Sequence, residues 1–421
     1  MTGPRHKTSD WAIGHSRLAG RLARRRNGSL VTAPDDLRPA IGRTWPVMAV
    51  TLVFFVGAGA TLPALPAAVR EAGAGATSLG VVLGIFPFAA LAGRLIAGRS
   101  TDRRGRILTL RLGLVVAGVA GLLFAASGGV LGIGAARTLH GLADAFLYTA
   151  ASAYVLDRTP EDRRPQALSL LGAGIWAGYA LGPLVGAALE LRQVGLVVMA
   201  GAGLGLLLTS GLPESTADGP QATGRRALLP PGVALPGVAL GLGNLGYAAL
   251  VGFVVVHLDD RGGNGAVALT CFSVAVLVGR LVVVPLAARL GIMRSLPYAL
   301  TAMASGLVVI ALTGDTAVVG AAAGAVGLGA SLPFPALATL VAARVPAAQR
   351  GTAIGALTAF YDLFVGFGSV AAGVVAARSG TPAVFVLAAV GVLAAAAINV
   401  VLARQDGDSP MLAAADSAPD A

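Results

Sequence analysis

Apolar residues follow one another along this chain in uninterrupted runs, and several windows, such as 45–65, 112–130 and 383–402, carry no charge at all. At a rise of about 1.5 Å per residue, about 20 such residues cross the hydrocarbon core of a bilayer as a helix. The runs are continuous and rich in Leu, Ala and Gly, which excludes a barrel of short strands with alternating polarity. Polar and charged residues punctuate the runs and predict helices over 45–69, 78–98, 107–127, 129–155, 165–189 and 193–212. A second set is predicted over 231–257, 264–288, 296–314, 316–343, 351–377 and 381–403. The expected fold is therefore an all-α membrane protein of twelve transmembrane helices.

Composition agrees with lipid as the main solvent: 56% of the 421 residues are hydrophobic and 12% charged, too little polar surface to coat a soluble globule of this size. A net charge of +11 invites a nucleic-acid partner, but nine of the 31 basic residues fall in the first 43 and most others in short loops. Topology accounts for them. With the N-terminus inside, the cytoplasmic loops hold Arg99, Arg103, Arg104, Arg106, Arg158, Arg163, Arg164, Arg225, Arg226, Arg289, Arg294, Arg344 and Arg350. The outer loops hold Arg70, Arg192, Arg261 and Arg378, so the bias follows the positive-inside rule throughout. Both termini are expected in the cytoplasm of a cell whose inner membrane houses the protein, with the bilayer as partner and no nucleic acid. Residues 1–43 are basic, lack a signal-peptide core, and are expected to form a disordered tail, unless translation starts later, near Met48.

Sliding the chain over itself by 186 residues brings Gly93-Arg94-Leu95 onto Gly279-Arg280-Leu281, Arg103 onto Arg289 and Gly105 onto Gly291. At the same offset Arg158 and Pro160 meet Arg344 and Pro346, Arg164 meets Arg350, and Gly182 meets Gly368. Loop Arg and Pro in register are hard to obtain by compositional chance. The expected architecture is two parallel six-helix pseudo-repeats, 44–212 and 231–403, joined by a cytoplasmic linker 213–230, with a second cytoplasmic tail over 404–421. Such repeats usually meet at a central cleft near the bilayer midplane and expose it to each side in turn.

After the second predicted span stands Gly98-Arg-Ser-Thr-Asp102-Arg103-Arg-Gly105-Arg106. Gly98 would let two helix ends approach, Gly105 would permit a tight turn, and Asp102 would hold Arg106 or cap a neighbouring helix. This loop resembles the signature between helices 2 and 3 of the major facilitator superfamily. The resemblance implies a gating latch on Gly98, Asp102, Arg103, Gly105 and Arg106, with Asp102 bracing the start of the eleventh helix near Gly351 in the outward-facing state. In the second half the corresponding positions are Ala288 and Ile292, so the latch is expected on one side only.

The fifth predicted span contains Gly178-Tyr-Ala-Leu-Gly182-Pro183-Leu-Val-Gly186-Ala187. Gly178, Gly182 and Gly186 form a smooth stripe for close packing, and Pro183 loosens the backbone there. The string is similar to the superfamily's antiporter motif, which implies efflux. The whole chain is thus similar to the twelve-helix drug:proton antiporter group.

In the fourth span Arg137, His140, Gly141, Asp144 and Tyr148 share one helix face. A charge in mid-membrane costs roughly 2.5–3.5 kcal/mol on insertion scales, so each is expected to face a cleft or a partner. Arg137 and Asp144 would pair. Burial and a nearby cation act in opposite senses on the charge of Asp144, a competition that suits a proton-coupled step and equally describes a permanent structural pair. Arg137 with Gly141 matches the family's helix 4 motif, which implies a link to proton movement. In the eleventh span Tyr361 and Asp362 stand in apolar sequence; Asp362 is a second proton candidate, or a partner for a cationic substrate, or a solvated end residue. Arg94 and Arg280 are expected to snorkel to the interface. Asn244 and Tyr247, with Phe54, Phe55, Trp176 and Tyr179, are candidates for an aromatic, weakly polar substrate site, and Tyr148 and Tyr361 join them.

No cofactor is expected: the chain contains no phosphate-binding Gly-x-x-x-x-Gly-Lys string, its single cysteine, Cys271, excludes a thiolate metal site, and its four histidines are scattered. The expectation is a non-enzymatic monomer whose partners are a small molecule and protons. It would export an amphipathic compound by proton antiport. Proton-coupled uptake of a nutrient is the main alternative, and a membrane sensor that does not transport is the third.

Overall fold

The computed structural model describes residues 34–215, 229–346 and 349–407. The remaining parts of the expected tails, and 216–228 of the expected linker, lie outside the described residues. By contacts the chain divides into Met1–Gly42 and Arg43–Ala421. Every regular element among the described residues is helical: α1 (Pro34–Glu71), α2 (Ala76–Arg104), α3 (Arg106–Ala126), α4 (Val130–Asp157), α5 (Arg164–Gly186) and α6 (Leu191–Thr209). After residues 216–228 come α7 (Ala234–Asp259), α8 (Gly265–Leu290), α9 (Ile292–Leu312), α10 (Thr316–Arg344) and α11 (Arg350–Gly407). Ten of these are long and apolar enough to cross a membrane. The exception, α4, is 28 residues long and carries the polar face of Arg137, His140 and Asp144.

Helix ends follow the local chemistry. The turns into α3 and α9 pass through Gly105 (φ 105°) and Gly291 (φ 95°), in a backbone region that side chains disfavour. Asn264 caps α8 by accepting from Ala266 and Val267, and Asp315 caps α10 by accepting from Ala317 and Val318. Glu190 and Gln193 form a reciprocal capping box on α6. Within α11, Gly380 departs from helical geometry (φ 79°, ψ 168°) two residues before Pro382. This kink falls at the loop expected between 377 and 381. Two other helices are interrupted inside the apolar region. α8 holds a π-helical turn at Gly279–Val283, and α10 breaks between Ala330 and Pro333.

α2 packs along α4 and α11, α5 along α8, and α7 along α11. The α5 stripe does what its spacing predicts. A methyl placed on Gly178 would lie 2.8 Å from the Leu52 carbonyl, one on Gly182 would lie 2.5 Å from Gly59 Cα, and one on Gly186 would overlap the Ala60 carbonyl. Backbone therefore meets backbone along the α1–α5 seam, where small residues provide the contact that lipid-facing Leu cannot. Gly182→Val is expected to destabilise the bundle by about 1–3 kcal/mol through overpacking. Thermal unfolding of the detergent-solubilised protein would measure it, and an unchanged midpoint would mean the seam yields.

Candidate functional site

At the centre of the bundle is a cavity of about 240 Å³, lined from both halves of the chain. Its charged groups are Arg94 on α2, Arg137 and Asp144 on α4, Arg280 on α8 and Asp362 on α11. Arg94, Asp144 and Asp362 each lie within about one helical turn of the middle of their membrane-crossing segments. The rest of the wall is aromatic and small or aliphatic. Tyr148, Trp176, Tyr179, Tyr247 and Tyr361 all contribute, together with Phe55 and Phe86.

Arg94 organises the two carboxylates. Its Nε donates to Asp362 Oδ2 at 2.8 Å and its Nη2 to Asp362 Oδ1 at 3.5 Å, while Nη2 stands 3.7 Å from Asp144 Oδ2. Asp144 and Asp362 are both buried. Two carboxylates thus share one guanidinium, which leaves this cluster a net charge of −1 when both are ionised. Tyr148, one turn beyond Asp144, sits with its ring 5.7 Å from the Arg94 guanidinium carbon.

Three expectations change here. Asp144 pairs with Arg94 and not with Arg137, because a partner on the crossing helix meets the carboxylate more squarely than one two turns away on its own helix. Arg137 instead donates to the Thr61 hydroxyl at 3.3 Å and lies 4.5 Å from the centre of the Phe86 ring. Arg94 does not snorkel, since two buried carboxylates offer more than the headgroup region does. Neither does Arg280, which turns inward over Trp176, 5.4 Å from the ring centre. The π turn that begins at Gly279 accompanies this inward orientation, and Gly279 itself lies against Ser331 at the break in α10.

The α4 face divides in two. Arg137, Asp144 and Tyr148 reach the cavity, whereas His140 is buried among Phe54, Phe86 and Phe124 with ring centroids 5.1, 5.5 and 5.9 Å away. Neither His140 ring nitrogen has a hydrogen-bond partner. Gly141 marks the α2–α4 crossing, where a methyl would overlap the Phe86 carbonyl. Of the aromatic candidates, Trp176 and Tyr179 (5.8 Å apart) join Tyr247 and Tyr361 in a continuous wall. Phe54 packs on His140 instead. Asn244 does not line the cavity; its side-chain amide donates to the Leu240 carbonyl at 2.7 Å.

At the α2–α3 loop Gly105 makes the expected turn. Arg106 is buried and bonds Asp102 (3.1 Å), Asp157 (3.1 Å) and the Thr101 carbonyl (2.7 Å). Arg103 is exposed. Gly98 does not mark a close approach: a methyl there would meet nothing within 4 Å, and the same holds at Gly351. Asp102 faces Arg106, not the start of α11. Sequence reading missed Glu214, whose carboxylate accepts from the Ile107 and Leu108 amides at 2.8 and 2.9 Å and caps α3. No short-range pattern links it to a helix start more than a hundred residues away.

Among the described residues no group of three or more His, Cys, Asp or Glu is placed to hold a metal ion. A membrane-crossing helical bundle around a charged, aromatic cavity of solute size defines a transporter. The family model of the Major Facilitator Superfamily matches residues 47–317 and 239–415, and the chain belongs to that superfamily. It is 31% identical over 376 residues to an uncharacterized MFS-type transporter of Burkholderia mallei (strain SAVP1), covering 85% of this chain and 91% of the relative. A counterpart in Salmonella typhimurium (strain LT2) is 31% identical, with coverage of 78% and 87%. Among solved structures, a bacterial homolog of the human lysosomal transporter Spinster, in an inward-facing and occupied conformation, superposes with a TM-score of 0.69 at 14% identity, covering 87% of this chain and 97% of that one. The human organic anion transporter MFSD10 (TETRAN) gives a TM-score of 0.66 at 18% identity, with coverage of 86% and 99%. The chain is thus a multi-pass membrane protein of a transporter family rather than of an enzyme family.

Proposed function

We propose that the protein is a proton-coupled secondary transporter that exports a small amphipathic compound by alternating access, in the manner of the drug:proton antiporters. The observation that carries this reading is the sharing of Arg94 between Asp144 and Asp362 inside the cavity. One cation for two carboxylates leaves a place for a proton. Protonating either acid frees Arg94 to serve the other, so proton gain and loss change which helices are tied across the cavity. Arg137, buried two turns before Asp144 on the same helix, adds a fixed charge to the cavity.

The repeat seen in the sequence supports a twelve-helix layout: α4 joins the ten apolar helices, and Gly380 divides α11 into two. The arginine bias of the loops supports cytoplasmic termini in a bacterial inner membrane. Export rests on the Gly178–Gly186 stripe of α5 packed tightly against α1. A specific observation also favours uptake by symport. The cavity holds three arginines and two aspartates, a net +1 that rises to +2 when a proton is bound, and this helps an anion to bind together with a proton.

Proteoliposomes with an imposed pH gradient test the proposal. Solute flux is expected to follow the gradient in the wild type, and Asp144→Asn and Asp362→Asn are each expected to reduce that flux while leaving solute binding. Wild-type rates from both variants would remove these acids from coupling, and net accumulation with the proton gradient, not against it, would establish symport.

A further inference from the structure

The geometry points to an anion-binding subsite in the cavity, formed by Arg280 on Trp176, which takes the carboxylate of an aromatic or similarly planar organic acid. The inference deepens the proposed function, since it rests on this cavity being the transport site. Five charged side chains line it, and Arg94 accounts for both acids. Arg280 is left without an acidic partner there, and its Nε has no hydrogen-bond partner. A guanidinium in mid-membrane with no counter-ion is expensive, and a fold that keeps one beside a solute-sized space is set up to receive the counter-ion from outside.

The surroundings define that counter-ion. Arg280 lines the cavity with its guanidinium carbon 5.4 Å from the centre of the Trp176 ring, and a guanidinium so placed is suited to bidentate contact with a carboxylate. Beyond it Tyr247 stands 6.2 Å from Trp176, and Tyr361 6.3 Å from Tyr247, a wall suited to a flat apolar body. Arg94, the repeat equivalent of Arg280, is engaged by acids from α4 and α11, so the two related arginines have divided the work: one holds the protein's own carboxylates and the other a solute's.

The full-length protein in detergent, with Trp11→Phe and Trp45→Phe so that Trp176 alone reports, is titrated with three matched pairs: benzoate and benzamide, 1-naphthoate and 1-naphthamide, indole-3-acetate and indole-3-acetamide. At least one carboxylate is expected to quench Trp176 saturably and to bind about tenfold or more tighter than its amide, as expected of a charge-assisted bidentate contact. Arg280→Gln is expected to abolish that preference and Arg280→Lys to restore part of it, both with wild-type unfolding temperatures. Amides that bind as tightly as the carboxylates, no saturable quenching by any acid, or a preference unchanged in Arg280→Gln would each overturn the subsite. Should Arg280→Gln fail to fold, protection of wild-type Arg280 from phenylglyoxal by the acids but not by the amides is the second measurement, and its absence overturns the subsite equally. Proton-driven flux without selective acid binding would leave the transport reading and sink this one; selective acid binding without proton-driven flux would do the reverse.

Discussion

Replacing Arg94 by Gln is expected to be among the most damaging single changes in the molecule, and its damage is expected to be partly reversed by a second substitution. Arg94 holds Asp362 through Nε at 2.8 Å and stands 3.7 Å from Asp144, and both carboxylates are buried. Removing the only cation between them leaves two like charges facing each other in a medium that solvates neither. Breaking a buried pair in this way costs about 3–5 kcal/mol, much of it the penalty of the abandoned charge. In Arg94→Gln with Asp362→Asn the mutual repulsion and one of the two abandoned charges are gone while Asp144 remains, so the double variant is expected to recover part of the lost stability. It is not expected to recover proton-driven flux. The measurement is a double-mutant cycle on thermal unfolding in detergent, paired with flux in proteoliposomes. Additive effects of the two substitutions would show that Arg94 and Asp362 do not depend on one another.

How much of this was legible in the sequence differs between fold and site. The membrane helices were legible because lipid forces each span to satisfy its own backbone and to stay apolar for its full length, a demand written in consecutive residues. The start of α1 at Pro34, well before its apolar run begins, was not, since neither lipid nor hydrophobic periodicity marks a polar helical extension. Asp144 and Asp362 could be singled out because a charge in a long apolar run has few harmless places to go. Their partner could not be identified that way. Arg94 and Asp362 are 268 residues apart, and no local spacing encodes which helices cross. The clue lay in glycine: Gly80 and Gly84 on α2, and Gly366 and Gly373 on α11, mark helices able to approach closely. Arg280 was misjudged as well. Its long side chain was expected to reach the interface, and the inward contact it makes instead, on Trp176 of another helix, is encoded by no local spacing.

The same glycines set the second large effect. Near the start of α2, a methyl on Gly80 would lie 2.5 Å from the Ser369 carbonyl and 2.8 Å from Gly373 Cα, and one on Gly84 would lie 2.6 Å from the Gly366 carbonyl. At the opposite ends of these helices, Gly98 and Gly351 have open space around them. The chain therefore holds α2 and α11 together at the end that also carries the Arg70–Asp260 pair, while nothing packs closely on Gly98 or Gly351 at the other end. On the orientation proposed from the loop arginines the tightly packed end is the outer one, and Asp102 at the other end bonds Arg106. Gly80→Val puts bulk where backbone meets backbone. The seam cannot absorb it without separating the helices, so this state loses stability while a state with the outer ends apart is untouched. An overpacking cost of about 1–3 kcal/mol corresponds to roughly a 5- to 150-fold shift in the balance between the two. The shift can be read at the far end: in a Cys271→Ser background, Gly351→Cys is expected to react readily with a membrane-impermeant maleimide added from the cytoplasmic side, and adding Gly80→Val is expected to slow that reaction severalfold while arresting flux. Equal labelling rates with and without Gly80→Val would show that the α2–α11 seam does not govern which side of the cavity is open.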